Sequence, residues 1–158
     1  MSETNVPQEG DKAPDFELPA NGGRMLKLSE TGENGTVLYF YPKDDTSGCT
    51  REAIEFTQAL PEFRKLGIAV IGLSPDTAKK HDKFAEKHDL KVDLVADEEK
   101  QALDAYGVWV EKSMYGRKYM GVERSTFLIG ADGTIKRVWR KVKVAGHVEE
   151  VLEAARDL

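Results

Sequence analysis

Cysteine is almost absent from this sequence: Cys49 is the single one in 158 residues. An intrachain disulfide is therefore excluded, and oxidative stapling does not hold the fold together. Long apolar runs are also missing. The longest, Thr36–Tyr41 and Ile68–Leu73, are strand-length and far too short to span a bilayer. The opening stretch Met1–Asp11 is polar and acidic and lacks the basic-then-apolar pattern of a secretory signal, so the expected location is cytoplasmic. Positive charge is in deficit, with 23 Lys and Arg against 28 Asp and Glu. That balance argues against binding to nucleic acid or to an anionic membrane. There is no His-Glu-x-x-His and no Cys/His spacing suited to a metal, so neither a metal nor another cofactor is expected. A Gly-x-Ser-x-Gly elbow is missing too, which removes serine hydrolase chemistry.

What is present is ordinary for a compact fold: 40% hydrophobic and 32% charged residues. We expect one domain over 1–158, with residues 1–10 a loosely structured lead-in that closes at Ala13-Pro14. Phe16–Leu18 and Met25–Leu28 alternate around a Gly22-Gly23 turn and predict an N-terminal hairpin. Thr36–Tyr41 and Ile68–Leu73 have the continuous apolar character of strands buried on both faces. Between them Ala53, Phe56, Leu60, Phe63 and Leu66 recur at helical spacing, with Pro61 predicting a kink or an end near Leu60. Ser74-Pro75-Asp76 opens a helix to about His88. Asp93–Ala96 reads as a short strand, Glu98–Tyr106 as a short helix and Val108–Glu123 as a long loop. Ser125–Ile129 and Thr134–Trp139 flank a Gly130–Gly133 hairpin turn, and His147–Leu158 closes with a helix. This order gives an α/β fold: a central mixed sheet flanked by helices, of thioredoxin-like type.

Cys49 lies where the first buried strand passes through a polar loop, Pro42–Gly48, into the amphipathic helix. Strand-end crevices of this kind collect ligands in open α/β sheets. In a first helical turn, unpaired N–H groups and the helix dipole favour negative charge, and thiols so placed are held as thiolates. Gly48 lets the backbone approach a ligand, Thr46 offers a hydroxyl, and Pro42 sets the chain direction and shields the sulfur. Such a set suits attack on an O–O bond, whose departing oxygen gains charge and needs donors aimed at it beforehand.

Pro42, Thr46 and Cys49 match the Pro-x-x-x-Thr-x-x-Cys signature of peroxiredoxins. The stretch from Tyr39 to Thr50 resembles the bacterioferritin comigratory protein, or peroxiredoxin Q, subfamily. So do Gly10–Phe16, Tyr106–Trp109 and Arg124–Ile129. The resemblance implies a thioredoxin fold and reduction of hydrogen peroxide or organic hydroperoxides, with Cys49 cycling through a sulfenic acid. Arg124 falls on the family's catalytic arginine. Glu52, one turn into the helix, either orients Arg124 or stabilises the helix dipole. Members often carry a resolving thiol five residues after the first cysteine, here Ile54, or on the next helix, near Ala85. Neither position can form a disulfide, so the reductant must be external: thioredoxin, glutaredoxin or a small thiol. A monomer is implied.

Other residues read more plainly. His81 and His88 can share a helical face, in a segment rich enough in Lys, Glu and Asp to be solvated. Arg137, Arg140, Lys141 and Lys143 read as the wet face of a strand. Met114, Tyr115, Tyr119 and Met120 read as loop packing, with a substrate collar or dimer surface as the alternative. Two rival functions stand beside the peroxidase. A disulfide reductase is opposed by Thr46, which takes the first place of a Cys-x-x-Cys. A binding module would not need Cys49.

Overall fold

The computed structural model describes residues 6–158. Part of the expected lead-in therefore lies outside the described residues. The remainder is docked rather than loose: Pro7 is buried, and Gly10 N donates to Ile135 O at 2.9 Å.

Among the described residues nine strands and four α-helices follow: β1 (Glu17–Ala20), β2 (Arg24–Lys27), β3 (Gly35–Phe40), α1 (Ser47–Lys65), β4 (Ile68–Ser74), α2 (Ala78–His88), β5 (Asp93–Ala96), α3 (Gln101–Ala105), β6 (Trp109–Met114), β7 (Arg117–Val122), β8 (Ser125–Gly130), β9 (Ile135–Trp139) and α4 (His147–Arg156), with a 3-10 turn at Leu28–Glu30. Seven strands form one mixed sheet in the order β2-β1-β5-β4-β3-β8-β9. β3, β4 and β5 run parallel, while β8 lies antiparallel to β3. The predicted mixed sheet and N-terminal hairpin are both present.

All six residues of β3 are buried because the sheet is covered on both sides. Val37 and Tyr39 point into a core shared with Phe56, Phe63, Phe84 and Val151, from α1, α2 and α4. Leu38 and Phe40 point into a second core with Leu103, Tyr106 and Phe127. Pro61 lies inside α1, which runs on to Lys65 rather than ending near Leu60. Its ring is at the exposed surface, and burial of Phe56, Leu60 and Phe63 on the opposite side offsets the roughly 3 kcal/mol an internal proline costs.

The expected loop at Val108–Glu123 is instead a second, two-stranded sheet of β6 and β7. Tyr115 and Gly116 form its two-residue turn, both with positive φ (53° and 78°), the left-handed pair that matches strand twist. Met114, Tyr115, Tyr119 and Met120 are exposed rather than packed.

His81 is also corrected. It is fully buried, with Nδ1 at 2.6 Å from Asp44 Oδ2 and Nε2 at 2.9 Å from the Val95 carbonyl. A carbonyl accepts only, so Nε2 carries a proton and donates it to Val95. Tyr41 donates to the other oxygen of Asp44 at 2.6 Å. Removing Asp44 leaves a buried imidazole and phenol without their acceptor. Asp44→Ala should therefore lower the unfolding free energy in urea by about 3 kcal/mol, whereas the exposed Asp82→Ala should cost far less.

Candidate active site

The loop between β3 and α1 is fixed before its chemistry begins. Asp44 N donates to Asp76 Oδ2 at 2.7 Å, tying the loop to the turn after β4. Asp45 has a left-handed backbone (φ 64°) and receives Lys87 Nζ at 2.7 Å and His88 Nε2 at 2.9 Å from α2. His88, then Lys87, hold its carboxyl below the usual range. Thr46 is the N-cap of α1, with extended backbone, yet its side chain makes no cap bond. Its hydroxyl donates to Lys43 O at 2.9 Å, which spends its proton and leaves its lone pairs to accept.

Cys49 is the third residue of α1. Thr50 is the first residue whose N–H bonds back, to Thr46 O at 2.8 Å. Among the described residues no acceptor takes the N–H groups of Ser47, Gly48 and Cys49, so three donors remain at this helix end.

The β3–β8 register brings Arg124 here. Phe40 pairs with Ser125, so Arg124 stands level with the start of the cysteine loop, at the same end of the sheet. Its Nη2 lies 3.2 Å from Cys49 Sγ and its Nη1 2.6 Å from Glu52 Oε1. Gly48 gives the guanidinium room: a Cβ there would be 3.3 Å from Nη2. The glycine thus serves the approach of Arg124 as well as that of a ligand. Burial opposes the charge of Arg124, but Glu52 and Cys49 more than offset it and hold the guanidinium more firmly charged than usual.

Glu52 is 0% exposed, and its second oxygen has no hydrogen-bond partner among the described residues. Burial raises its pKa from an ordinary 4.5 to about 7, against the pull of Arg124. His147 is buried behind the site, with Nε2 2.8 Å from Thr126 Oγ1 and its ring edge-on to Phe56 and Trp139. Burial pushes its pKa down to about 4, so it stands neutral.

One expectation needs correcting. The crevice reading placed the sulfur open to a ligand, but Cys49 is only 1% exposed and shares a core with Tyr39, Ala53 and Phe56. Arg124, in contact with it, has a side chain 17% exposed. The sulfur thus lies beneath the surface, in contact with a guanidinium that is itself only partly exposed. Pro42 and Gly48 are half-buried beside it in the chain, while Thr46 is exposed. Ile54 is half-buried and lines an open groove of about 600 Å³ with Asp45, Ser47, Thr50 and Arg51. Ala85 is half-buried on α2 against the core. No helix among the described residues is long and apolar enough to cross a membrane. The sequence reading missed Tyr41, Asp44 and His81 as a unit. The helical spacing of His81 with Phe84, Ala85 and His88 was the available signal.

A profile of the AhpC/TSA family matches residues 9–138. The chain belongs to that family. It is 48% identical over 149 residues to peroxiredoxin Bcp of Bacillus subtilis, covering 94% of this chain and 95% of the relative. Escherichia coli K12 peroxiredoxin Bcp is 40% identical over 148 residues, with the same coverage of 94% and 95%. Among solved structures, bacterioferritin comigratory protein of Xanthomonas campestris matches with a TM-score of 0.87 at 39% identity, over 98% of each chain. That structure is a trapped intermediate/ligand complex bearing on the alkyl peroxide reduction activity of the Xanthomonas protein. A peroxiredoxin Q variant of Xylella fastidiosa gives 0.91 at 39% identity, over 97% of this chain and 98% of that one. Within the AhpC/TSA family the chain is accordingly a Bcp, or peroxiredoxin Q, peroxiredoxin with a thioredoxin-like fold.

The pKa of Glu52 has a thermodynamic consequence. A folded value raised above the unfolded one means that the native state binds more protons between pH 4.5 and about 7. The Glu52 contribution is therefore fully present below pH 4.5 and is lost as pH rises through about 7. In urea titrations across this window the wild type should lose stability relative to Glu52→Gln. Parallel pH dependence in the two proteins would contradict the assignment.

Proposed function

We propose that this peroxiredoxin reduces hydrogen peroxide and organic hydroperoxides by attack of the Cys49 thiolate on one peroxide oxygen. The observation that carries the reading is the guanidinium of Arg124, within hydrogen-bond reach of both the sulfur and Glu52. As the S–O bond forms, the O–O bond breaks and the departing oxygen takes the electron pair, leaving as water or an alcohol once protonated. Arg124 and the free N–H groups of the first α1 turn stabilise the charge on the two oxygens. Thr46, its own proton committed to Lys43 O, accepts from the peroxide O–H. Pro42 and Gly48 shape the approach, and Glu52 holds Arg124 in line.

The product is a Cys49 sulfenic acid. With no second cysteine in the chain, an external thiol attacks its sulfur and releases water; a further thiol then breaks the mixed disulfide. Thioredoxin, glutaredoxin or a small thiol fits this step. Two solved variants of Xanthomonas campestris peroxiredoxin Q each have one cysteine replaced by serine. The spacing of those two cysteines equals that from Cys49 to Ala85 here, which supports Ala85 as the place where a two-cysteine relative carries its second thiol. A monomer working as one domain in the reducing cytosol, without nucleic acid or membrane, suits this cycle.

Cys49→Ser should abolish turnover. Arg124→Ala should slow oxidation of Cys49 by hydrogen peroxide about 100-fold in stopped flow; a rate within a factor of about two of wild type would remove Arg124 from the chemistry. Ala85→Cys should redirect the cycle. After one equivalent of peroxide its intact mass should fall by two hydrogens, where the wild type gains one oxygen.

A further inference from the structure

Thr46 stands at the capping position of α1, yet its side chain makes no cap bond. A threonine so placed ordinarily accepts an N–H from the second or third helical residue, here Gly48 or Cys49. Such a bond would occupy a lone pair of the hydroxyl and one of the free donors together. Instead Thr46 Oγ1 donates to Lys43 O at 2.9 Å. What holds that carbonyl in place therefore decides what the hydroxyl can do.

The carbonyl of Lys43 and the N–H of Asp44 belong to one planar trans peptide and point in opposite directions. Asp44 N donates to Asp76 Oδ2 at 2.7 Å. Fixing the N–H toward Asp76 aims the Lys43 carbonyl at Thr46. Asp76 is itself held. It is 9% exposed, its Oδ2 also receives Ser74 Oγ at 2.9 Å, and its own N–H reaches Ser74 Oγ at 3.2 Å. Lys80 Nζ approaches its other oxygen at 3.7 Å. Ser74 is fully buried at the end of β4, the central strand of the sheet, and Asp97 N bonds to its carbonyl at 3.0 Å. A continuous chain of contacts thus runs from β4 through Ser74, Asp76 and the Lys43–Asp44 peptide to the Thr46 hydroxyl. His81 and Tyr41 grip the Asp44 side chain at 2.6 Å each, but the bond to Asp76 is the one made by the N–H of that peptide.

We propose that Asp76 is a positioning residue for Thr46, acting through the Lys43–Asp44 peptide. By aiming the Lys43 carbonyl it keeps the threonine proton engaged away from the substrate, and leaves the hydroxyl lone pairs and the first N–H groups of α1 free. Thr46 then accepts the O–H of the peroxide while Gly48 and Cys49 still donate. Without Asp76 the peptide can turn, the hydroxyl loses its acceptor, and Thr46 falls back to capping α1.

The inference rests on the proposed role of Thr46 as acceptor, and the test separates the two claims. Oxidation of Cys49 by hydrogen peroxide in stopped flow is compared with its reaction with methyl methanethiosulfonate, a thiol reagent that carries no hydrogen-bond donor. Asp76→Ala should slow oxidation about 10-fold while the thiosulfonate rate stays within a factor of about two. Asp76→Asn keeps an acceptor oxygen for Asp44 N and should recover most of the loss. Ser74→Ala frees the Asp76 carboxylate without removing it and should show the same pattern with a smaller loss, about threefold; it carries the comparison should Asp76→Ala fail to fold. In Thr46→Val, where the wild type has no side-chain cap bond to lose, adding either substitution should slow oxidation by less than about a factor of two. Equal losses with and without the Thr46 hydroxyl, or a parallel fall in the thiosulfonate rate, would overturn the proposal, as would equal losses in Asp76→Asn and Asp76→Ala. If wild-type Cys49 is not oxidised, or Thr46→Val is oxidised as fast as wild type, the functional reading of Thr46 fails. If Thr46→Val is slow while Asp76→Ala and Ser74→Ala match the wild type, only the role of Asp76 fails.

Discussion

A guanidinium held against a buried sulfur is the contact on which the site depends, and the pairing of β3 with β8 produces it. Phe40 opposite Ser125 fixes where Arg124 emerges, and Cys49 follows nine residues after Phe40 at the start of α1. A slip of one residue would turn Arg124 to the other face of the sheet and bring the wrong residue to the sulfur. Both faces of β3 are packed, so such a slip would also exchange the residues of the two cores. Core packing and chemistry thus set the same register, and one cannot be altered without the other.

Burial at this point works in two directions. It disfavours charge on Glu52, whose pKa rises to about 7, and it closes Cys49 to within 1% of full burial. The same exclusion of water strengthens each remaining electrostatic contact. Donors fixed before a substrate arrives need not reorganise as charge moves onto the departing oxygen. In the proposed attack, Arg124 and the free N–H groups of the first turn form that fixed set. In the same proposal a protonated Glu52 leaves the whole charge of Arg124 to the sulfur and the peroxide oxygens.

The sequence was most legible where local pattern and tertiary role agree. The apolar run of β3, the periodic face of α1 and the turn between β8 and β9 each announce their element, and the Pro42–Thr46–Cys49 spacing points to the chemistry. Arg124 was accessible only through resemblance, since a lone arginine before a strand carries no local mark of its partner 75 residues earlier. The β6–β7 hairpin was hidden because Tyr115 occupies a left-handed position usually given to Asn, Asp or Gly, and because its strands carry no buried face of their own. His81 misled for a related reason. A charged neighbourhood suggested solvent, but its helical position faced Phe84's side of α2, where Asp44 and Tyr41 supply what a buried imidazole needs. The near-complete burial of Cys49 had no local sequence signal, because it depends on Tyr39, Ala53, Phe56 and Arg124 meeting around it.

That network also bears on how the proposed cycle ends. A thiol on α2 could reach Cys49 only by disturbing a helix whose His81 is buried against Asp44 and whose Phe84 fills the core. Lys87 and His88 add a second attachment through Asp45 to the loop that carries Thr46. With alanine at position 85 the proposed chemistry makes no such demand, and these contacts can persist while the sulfur is oxidised and reduced. The incoming thiol then meets a folded site.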